Sequence, residues 1–177
     1  MNATFAGAER VYLIGYRGAG KSTIGHRLAQ ALHWEFADTD DEIISASGRT
    51  IAELFADPGE PAFRDYETAA LQNLSKHQQI VIATGGGIVL RQENRAYLAS
   101  WGFPIWLRAP AETLFARIQA DAGTAHRRPH LIAGGSLHEV ETLLRVREPL
   151  YATVARLIID TDKQSPDEVV SRILASC

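Results

Sequence analysis

The sequence predicts an α/β fold in which a parallel sheet carries helices on both faces. Two observations point to it. Short apolar runs alternate with longer helical patterns along the chain, the rhythm of successive βαβ units. The run at 11–14, VYLI, closes on Gly15 and opens a helix whose Ile24, Leu28 and Leu32 fall four apart on one face, so strand, glycine loop and helix follow in order.

The remaining elements read in the same way. Residues 34–37 form a second predicted strand, 42–47 and 50–55 two short helices divided by Gly48, and 61–75 a longer helix. A third strand, QIVIA at 79–83, ends on Gly85, Gly86 and Gly87. Helix 92–100, strand 103–107 and helix 111–119 follow. Residues 136–155 have helical periodicity that Pro149 is expected to kink or split. The fifth and last strand is 157–159, and Ser165, Pro166 and Glu168 supply an N-cap, a first-turn proline and a capping-box acid for the closing helix. Residues 121–135, with Gly123, Gly134, Gly135, Pro129, two arginines and two histidines, lack clear periodicity and are expected to be a long functional loop.

Composition bounds what such a fold can be for. At 177 residues, against about 150 per domain, one compact unit spanning 1–177 is expected, with a core that needs no staples. Hydrophobic residues make up 46% and charged residues 22%, which excludes disordered, collagen-like and membrane-spanning chains. Cys177 is the only cysteine, so a disulfide framework and a cysteine metal site are excluded and a reducing compartment is favoured. Residues 1–9 hold no basic region followed by an apolar run, so a cytoplasmic protein without a secretory signal or a membrane partner is expected. A net charge of −3 argues against nucleic acid as a partner. Yet all the basic residues but Lys21, Lys76 and Lys163 are arginine, the side chain whose planar fork grips carboxylates and phosphates two bonds at a time.

The loop after the first strand carries the sharpest motif. Residues 15–22, GYRGAGKS, satisfy G-x-x-x-x-G-K-[ST] between a strand and a helix, the context that a phosphate-binding loop requires. The candidate nucleotide site is therefore Gly15, Gly18, Ala19, Gly20, Lys21, Ser22 and Thr23. Backbone N–H groups and the helix N-terminus face phosphate oxygens, Lys21 reaches the β and γ phosphates, and Ser22 ligates Mg²⁺. No Asn-Lys-x-Asp guanine reader occurs, which favours ATP. The second strand runs into Asp38-Thr39-Asp40, two carboxylates at the carboxyl end of a strand, where ligands of such sheets bind. Alternation along an extended segment would turn one toward a metal and the other toward an acceptor. The alternative is that one of them caps the following helix. The six histidines show no ligand spacing.

The phosphate loop, the Asp38-Thr39-Asp40 triplet, the F-R-x-x-E run Phe63 to Glu67, the triple glycine, Arg128-Pro129 and the R-E-P-L-Y run Arg147 to Tyr151 occur in the order found in shikimate kinases, and over residues 10–175 the chain resembles that family. The resemblance implies a P-loop three-layer α/β/α architecture of the nucleoside monophosphate kinase type, its five parallel strands ordered 2-3-1-4-5. It also implies Mg²⁺-dependent transfer of phosphate from ATP to the 3-hydroxyl of shikimate, a step toward the aromatic amino acids, by a monomer. On that reading Asp38 holds Mg²⁺ through water and Asp40 meets the acceptor hydroxyl. Arg64 and Arg147 clamp the substrate carboxylate, Gly85, Gly86 and Gly87 line its pocket, and Arg128 swings over the phosphates. Arg64 and Glu67, three apart on a helix, could alternatively be a surface ion pair, Arg147 could pair with Glu148, and the glycine run could be a turn. In the lid, Pro129 is followed by His130 and Leu131 where many relatives have two leucines, and Arg127 offers a second phosphate contact. Residues 162–166 are the expected wall for adenine. Two other readings stay open: a kinase for another small polyol acid such as gluconate, and a non-catalytic sensor of a small acid. The sensor reading predicts a damaged phosphate loop, whereas Lys21, Ser22, Asp38 and Asp40 are all intact.

Overall fold

The structure, a computed structural model, describes residues 5–121 and 136–177, with only the backbone of Ala6. Strand β1 (Arg10–Ile14) leads through the glycine loop into α1 (Lys21–Leu32), and β2 (Glu35–Asp38) follows. Three helices, α2 (Thr39–Ser47), α3 (Ile51–Ala56) and α4 (Glu60–Leu74), precede β3 (Ile80–Ala83). Then come α5 (Gln92–Trp101), β4 (Phe103–Arg108), α6 (Ala111–Ala120), α7 (Leu137–Val154), β5 (Leu157–Asp160) and α8 (Pro166–Ala175).

The five strands are all parallel in the order β2-β3-β1-β4-β5, as the resemblance implied. Helices on both faces explain the uninterrupted apolar character of β1 and β3, whose residues from Val11 to Ile14 and from Ile80 to Ala83 are all buried. Alternation divides them between two cores. Val11, Leu13 and Val81 pack with Ile24 and Leu28 of α1 and Val169 and Ile173 of α8, whereas Tyr12, Ile14, Ile80 and Ile82 pack with Leu71, Leu98 and Tyr151 on the other face. A third cluster of Ile43, Ile51, Leu54, Phe63 and Ala70 joins α2, α3 and α4. It makes the support on which Arg64 and Glu67 stand.

Two elements differ from expectation. The helix expected at 42–47 starts at Thr39, because the Asp38 side chain accepts a hydrogen bond from the Asp40 N–H at 2.9 Å and caps the first turn. Asp40 is therefore helical, and strand alternation is not what separates the two carboxylates. Pro149 does not split α7, which runs unbroken over 18 residues. Buried Val140, Leu144, Arg147, Tyr151 and Val154 hold one face on both sides of the proline, and that packing outweighs the lost backbone bond.

Candidate active site

Strand order reverses around β1, and the glycine loop leaves its carboxyl end there, the switch point at which sheets of this kind bind ligands. Gly15, Gly18 and Gly20 have φ of 141°, 81° and 89°, the region open to glycine. A Cβ on Gly15 would lie 2.4 Å from the Leu107 carbonyl oxygen of β4, so no side chain fits where the loop crosses the sheet. Ala19 donates its N–H to Tyr16 at 3.2 Å, Gly20 forms the N-cap of α1, and Lys21, Ser22 and Thr23 are its first turn. Lys21 is buried, and its Nζ donates to the carbonyls of Gly15 at 2.8 Å and Tyr16 at 2.9 Å, which holds the ammonium inside the loop. Ser22 Oγ donates to Asp38 Oδ2 at 2.7 Å. Asp38 thus caps α2 with one oxygen, the alternative left open by its sequence position, and meets the loop serine with the other.

A cleft of about 490 Å³ brings these groups together, lined among others by Gly18, Lys21, Ser22, Asp38, Asp40 and Arg117. Thr84, the residue before the glycine run, also lines it. Thr39 Oγ1 accepts the Gly85 N–H at 2.9 Å and so ties the start of α2 to the end of β3. A Cβ on Gly85 would lie 2.6 Å from Glu67 Oε1 and 3.3 Å from Asp40 Oδ1. One on Gly86 would sit 3.4 Å from the Arg17 nitrogen, 3.5 Å from the Gly15 oxygen and 3.7 Å from Arg147 Nη1. The run does make a turn, and it is also the seam at which the phosphate loop, the carboxylates and the arginines meet.

Arg64 and Glu67 are no surface pair. Both are buried, and Arg64 Nη1 donates to Glu67 Oε2 at 2.8 Å. Burial opposes the charge on Arg64, but Glu67 and Glu60 outweigh it and raise the guanidinium above its ordinary value. Burial also pushes the Glu67 carboxyl up, against the attraction of Arg64. Arg147, buried on α7, lies over the Tyr16 ring at 5.5 Å and donates to the Gly86 carbonyl at 3.4 Å. Its neighbour one turn on, Tyr151, donates to the same carbonyl at 2.5 Å. Burial raises the Tyr151 hydroxyl well above its ordinary range, so it stays a donor.

Arg127 and Arg128, and with them all of the lid loop expected at 121–135 except Asp121, lie outside the described residues. Two residues emerge that no motif flagged. Arg117 on α6 donates to Thr161 through its carbonyl at 2.7 Å and its hydroxyl at 3.0 Å, and to the Gly18 carbonyl at 3.4 Å. It clamps the phosphate loop to the segment that follows β5. Glu60 accepts from Arg64 through Nη2 at 2.8 Å and Nε at 3.2 Å. In sequence both look like ordinary helix-surface charges; only Glu60, four before Arg64, carried a signal, the spacing of a helical ion pair.

The family model described as shikimate kinase matches residues 17–177. The shikimate kinase of Rhodopirellula baltica is 44% identical over 174 residues, 98% of this chain and 93% of the relative. A solved structure, shikimate kinase from Acinetobacter baumannii in complex with shikimate, is similar at TM-score 0.89 and 35% identity, over 98% of this chain and 94% of that one. A gluconokinase from Sinorhizobium meliloti 1021 is similar at TM-score 0.57 and 20% identity, over 94% of this chain and 89% of that one, a likeness of fold alone.

Proposed function

Because the chain belongs to the shikimate kinase family, we propose that it transfers the γ-phosphoryl group of ATP to the 3-hydroxyl of shikimate through the residues gathered around its glycine loop. The observation that carries this reading is the meeting of three parts along Gly85, Gly86 and Gly87: Asp40 at Gly85, the phosphate loop and Arg147 of α7 at Gly86, and Arg64 of α4 at Gly87.

The chemistry follows from the parts. Phosphoryl transfer passes through a loose transition state with charge spread over the equatorial oxygens, so the protein's task is positioning and charge stabilisation. The loop N–H groups and Lys21 serve the phosphates. Asp40 accepts the hydrogen bond of the 3-hydroxyl, aims its oxygen in line with the γ-phosphorus and takes the proton as the new bond forms. Arg64 and Arg147 orient the ring by its carboxylate, which glycines at 85–87 allow to approach the backbone.

Mg²⁺ fits the residues present. Ser22 Oγ and Asp38 Oδ2 are hard oxygen donors 2.7 Å apart at the loop, and no group of three His, Cys, Asp or Glu able to hold a metal occurs among the described residues. That suits an ion which keeps several waters and takes few protein oxygens beside those of the nucleotide. Ser22 and, through water, Asp38 would hold it, and it would neutralise charge on the β and γ phosphates. Residues 162–166 are the proposed adenine wall, supported by the clamp of Arg117 between Thr161 and Gly18. Arg128 is the proposed lid contact. The proposed acting form is a monomer.

A coupled assay of ADP release against a panel of small hydroxy acids tests the proposal. Turnover with shikimate and not with gluconate is the expected result. Preference for gluconate would transfer the assignment to another polyol acid, and binding of shikimate without turnover would make the protein a sensor.

A further inference from the structure

The Arg64 guanidinium is engaged on every side. Its Nε and Nη2 edge donates to Glu60 Oε1, at 3.2 and 2.8 Å. Nη1 donates to Glu67 Oε2 at 2.8 Å. The remaining side lies against Gly87, where a Cβ would fall 2.2 Å from Nη1, 2.6 Å from Cζ and 2.7 Å from Nη2. A carboxylate that takes two parallel hydrogen bonds from this fork must displace one of the three.

Exposure decides which. Glu67 is 1% exposed, between Arg64 and Gly85, and has no route to water. Gly87 is backbone. The Glu60 side chain is 54% exposed in the first turn of α4, so it can turn into solvent and recover full hydration. Charge points the same way. With Glu60 in place, Arg64 already faces two carboxylates, Glu60 and Glu67, and a third on the substrate would meet their repulsion. With Glu60 turned outward the substrate carboxylate takes its place and the charge around Arg64 is unchanged.

We propose that Glu60 is a specificity-determining residue, an internal stand-in for the substrate carboxylate that holds the Nε and Nη2 edge of Arg64 until a carboxylate of matching geometry displaces it. A single-pronged anion gains too little from the exchange, so the contact filters ligands as well as keeping Arg64 extended. The inference rests on the reading that Arg64 grips the substrate carboxylate. Glu60 acts through Arg64 and is a positioning residue.

The test is calorimetric binding of shikimate and of its methyl ester to the full chain, with steady-state kinetics beside it. Glu60→Gln should tighten shikimate binding and lower its KM about three- to fivefold, the scale of an exposed ion pair that no longer has to be broken. Its kcat, the KM for ATP and the affinity for the ester should hold. Glu60→Ala, which leaves no oxygen at the fork, should tighten binding at least as much. Unchanged or weaker binding in both variants would make Glu60 a plain helix ion pair and overturn the proposal. So would an equal gain in Asp65→Asn, an exposed carboxylate of the same helix that pairs with Arg91, because a general field effect would then suffice. Arg64→Lys separates the two levels. If it leaves shikimate affinity unchanged, the reading of Arg64 itself fails; if it weakens shikimate and Glu60→Gln changes nothing, only the stand-in fails.

Discussion

Ser22 Oγ and Asp38 Oδ2 are joined at 2.7 Å, and the other oxygen of the same carboxylate takes the N–H of Asp40 at 2.9 Å. One side chain therefore links the phosphate loop to the helix that carries the proposed acceptor-binding carboxylate. In Asp38→Asn the amide oxygen can keep the cap while its NH₂ meets Ser22, so the helix should survive with a loss below about 1 kcal/mol. Turnover should fall and recover in part as Mg²⁺ is raised, since the missing charge weakens the ion's water shell rather than the helix. Titration of turnover with Mg²⁺, beside chemical unfolding of both proteins, measures the two roles separately. A loss indifferent to Mg²⁺ would reduce Asp38 to a cap.

Lys21 makes a second case in which one group has two jobs. Its ammonium holds the carbonyls of Gly15 and Tyr16 within the loop, and it is the proposed charge on the β and γ phosphates. Lys21→Met keeps the stem but removes the donor and the charge. Turnover should drop by about a thousandfold or more, roughly 4 kcal/mol of transition-state stabilisation, whereas stability should change by only about 1–3 kcal/mol from the two carbonyls left with one donor fewer. Turnover within about tenfold of the parent would sink the phosphate-loop assignment.

Glu67 gives a pH signature. Burial raises its carboxyl above the ordinary 4.5, with Arg64 opposing, so the folded chain holds this proton more tightly than the unfolded chain does. Its contribution to stability is then complete below 4.5 and is lost as pH rises through the folded value. Glu67→Gln fixes the group in an uncharged form and removes that slope. Urea unfolding of both proteins from about pH 4.5 upward should show the variant gaining on the parent as pH rises. A gap that moves the other way would mean that the attraction of Arg64 outweighs burial.

Local chemistry made much of this legible. The glycine loop, the two carboxylates and the triple glycine each sit at the end of a strand, where the period of the chain changes and the residue types are unusual, so each announces itself in a window of a few residues. What could not be read is what depends on distant partners. Asp38 could be named as a cap, but that it also joins the phosphate loop depends on Ser22 in another element. Strand alternation failed for Asp40 because the cap moved the helix start to Thr39. Pro149 was overruled by packing spread over five buried positions of α7. Glu60 and Arg117 carry surface-like charges in amphipathic helices; Glu60 shows only the four-residue spacing to Arg64, and Arg117 is singled out by its tertiary contacts with Gly18 and Thr161. Conversely, Arg64 with Glu67 three residues on and Arg147 with the adjacent Glu148 both offer an opposite charge nearby in the sequence. Burial over the third core cluster takes the first off the surface, whereas Arg147 turns to Tyr16 and Gly86.

Asp40 carries the most exacting prediction. It is buried at the N-terminus of α2, its Oδ1 is 3.3 Å from where a Cβ on Gly85 would stand, and its preceding residue, Thr39, receives the Gly85 N–H. The backbone of the helix start is held by the Asp38 cap and by Thr39, and asparagine keeps the shape of the side chain, so Asp40→Asn should leave the fold intact. An alcohol is a poor nucleophile at neutral pH, and a carboxylate that accepts its hydrogen bond both aims the oxygen and takes the proton. In a loose transition state little proton transfer has occurred, so aim matters more than basicity. Asparagine keeps one acceptor oxygen and loses the charge, and turnover should fall roughly a hundredfold or more. Added Mg²⁺ should not restore it, in contrast with Asp38→Asn, because the loss lies at the acceptor and not at the ion. Turnover against Mg²⁺ for the two variants, with unfolding curves to confirm that both are folded, decides the matter. Rescue of Asp40→Asn by Mg²⁺ together with indifference of Asp38→Asn would exchange the roles of the two carboxylates.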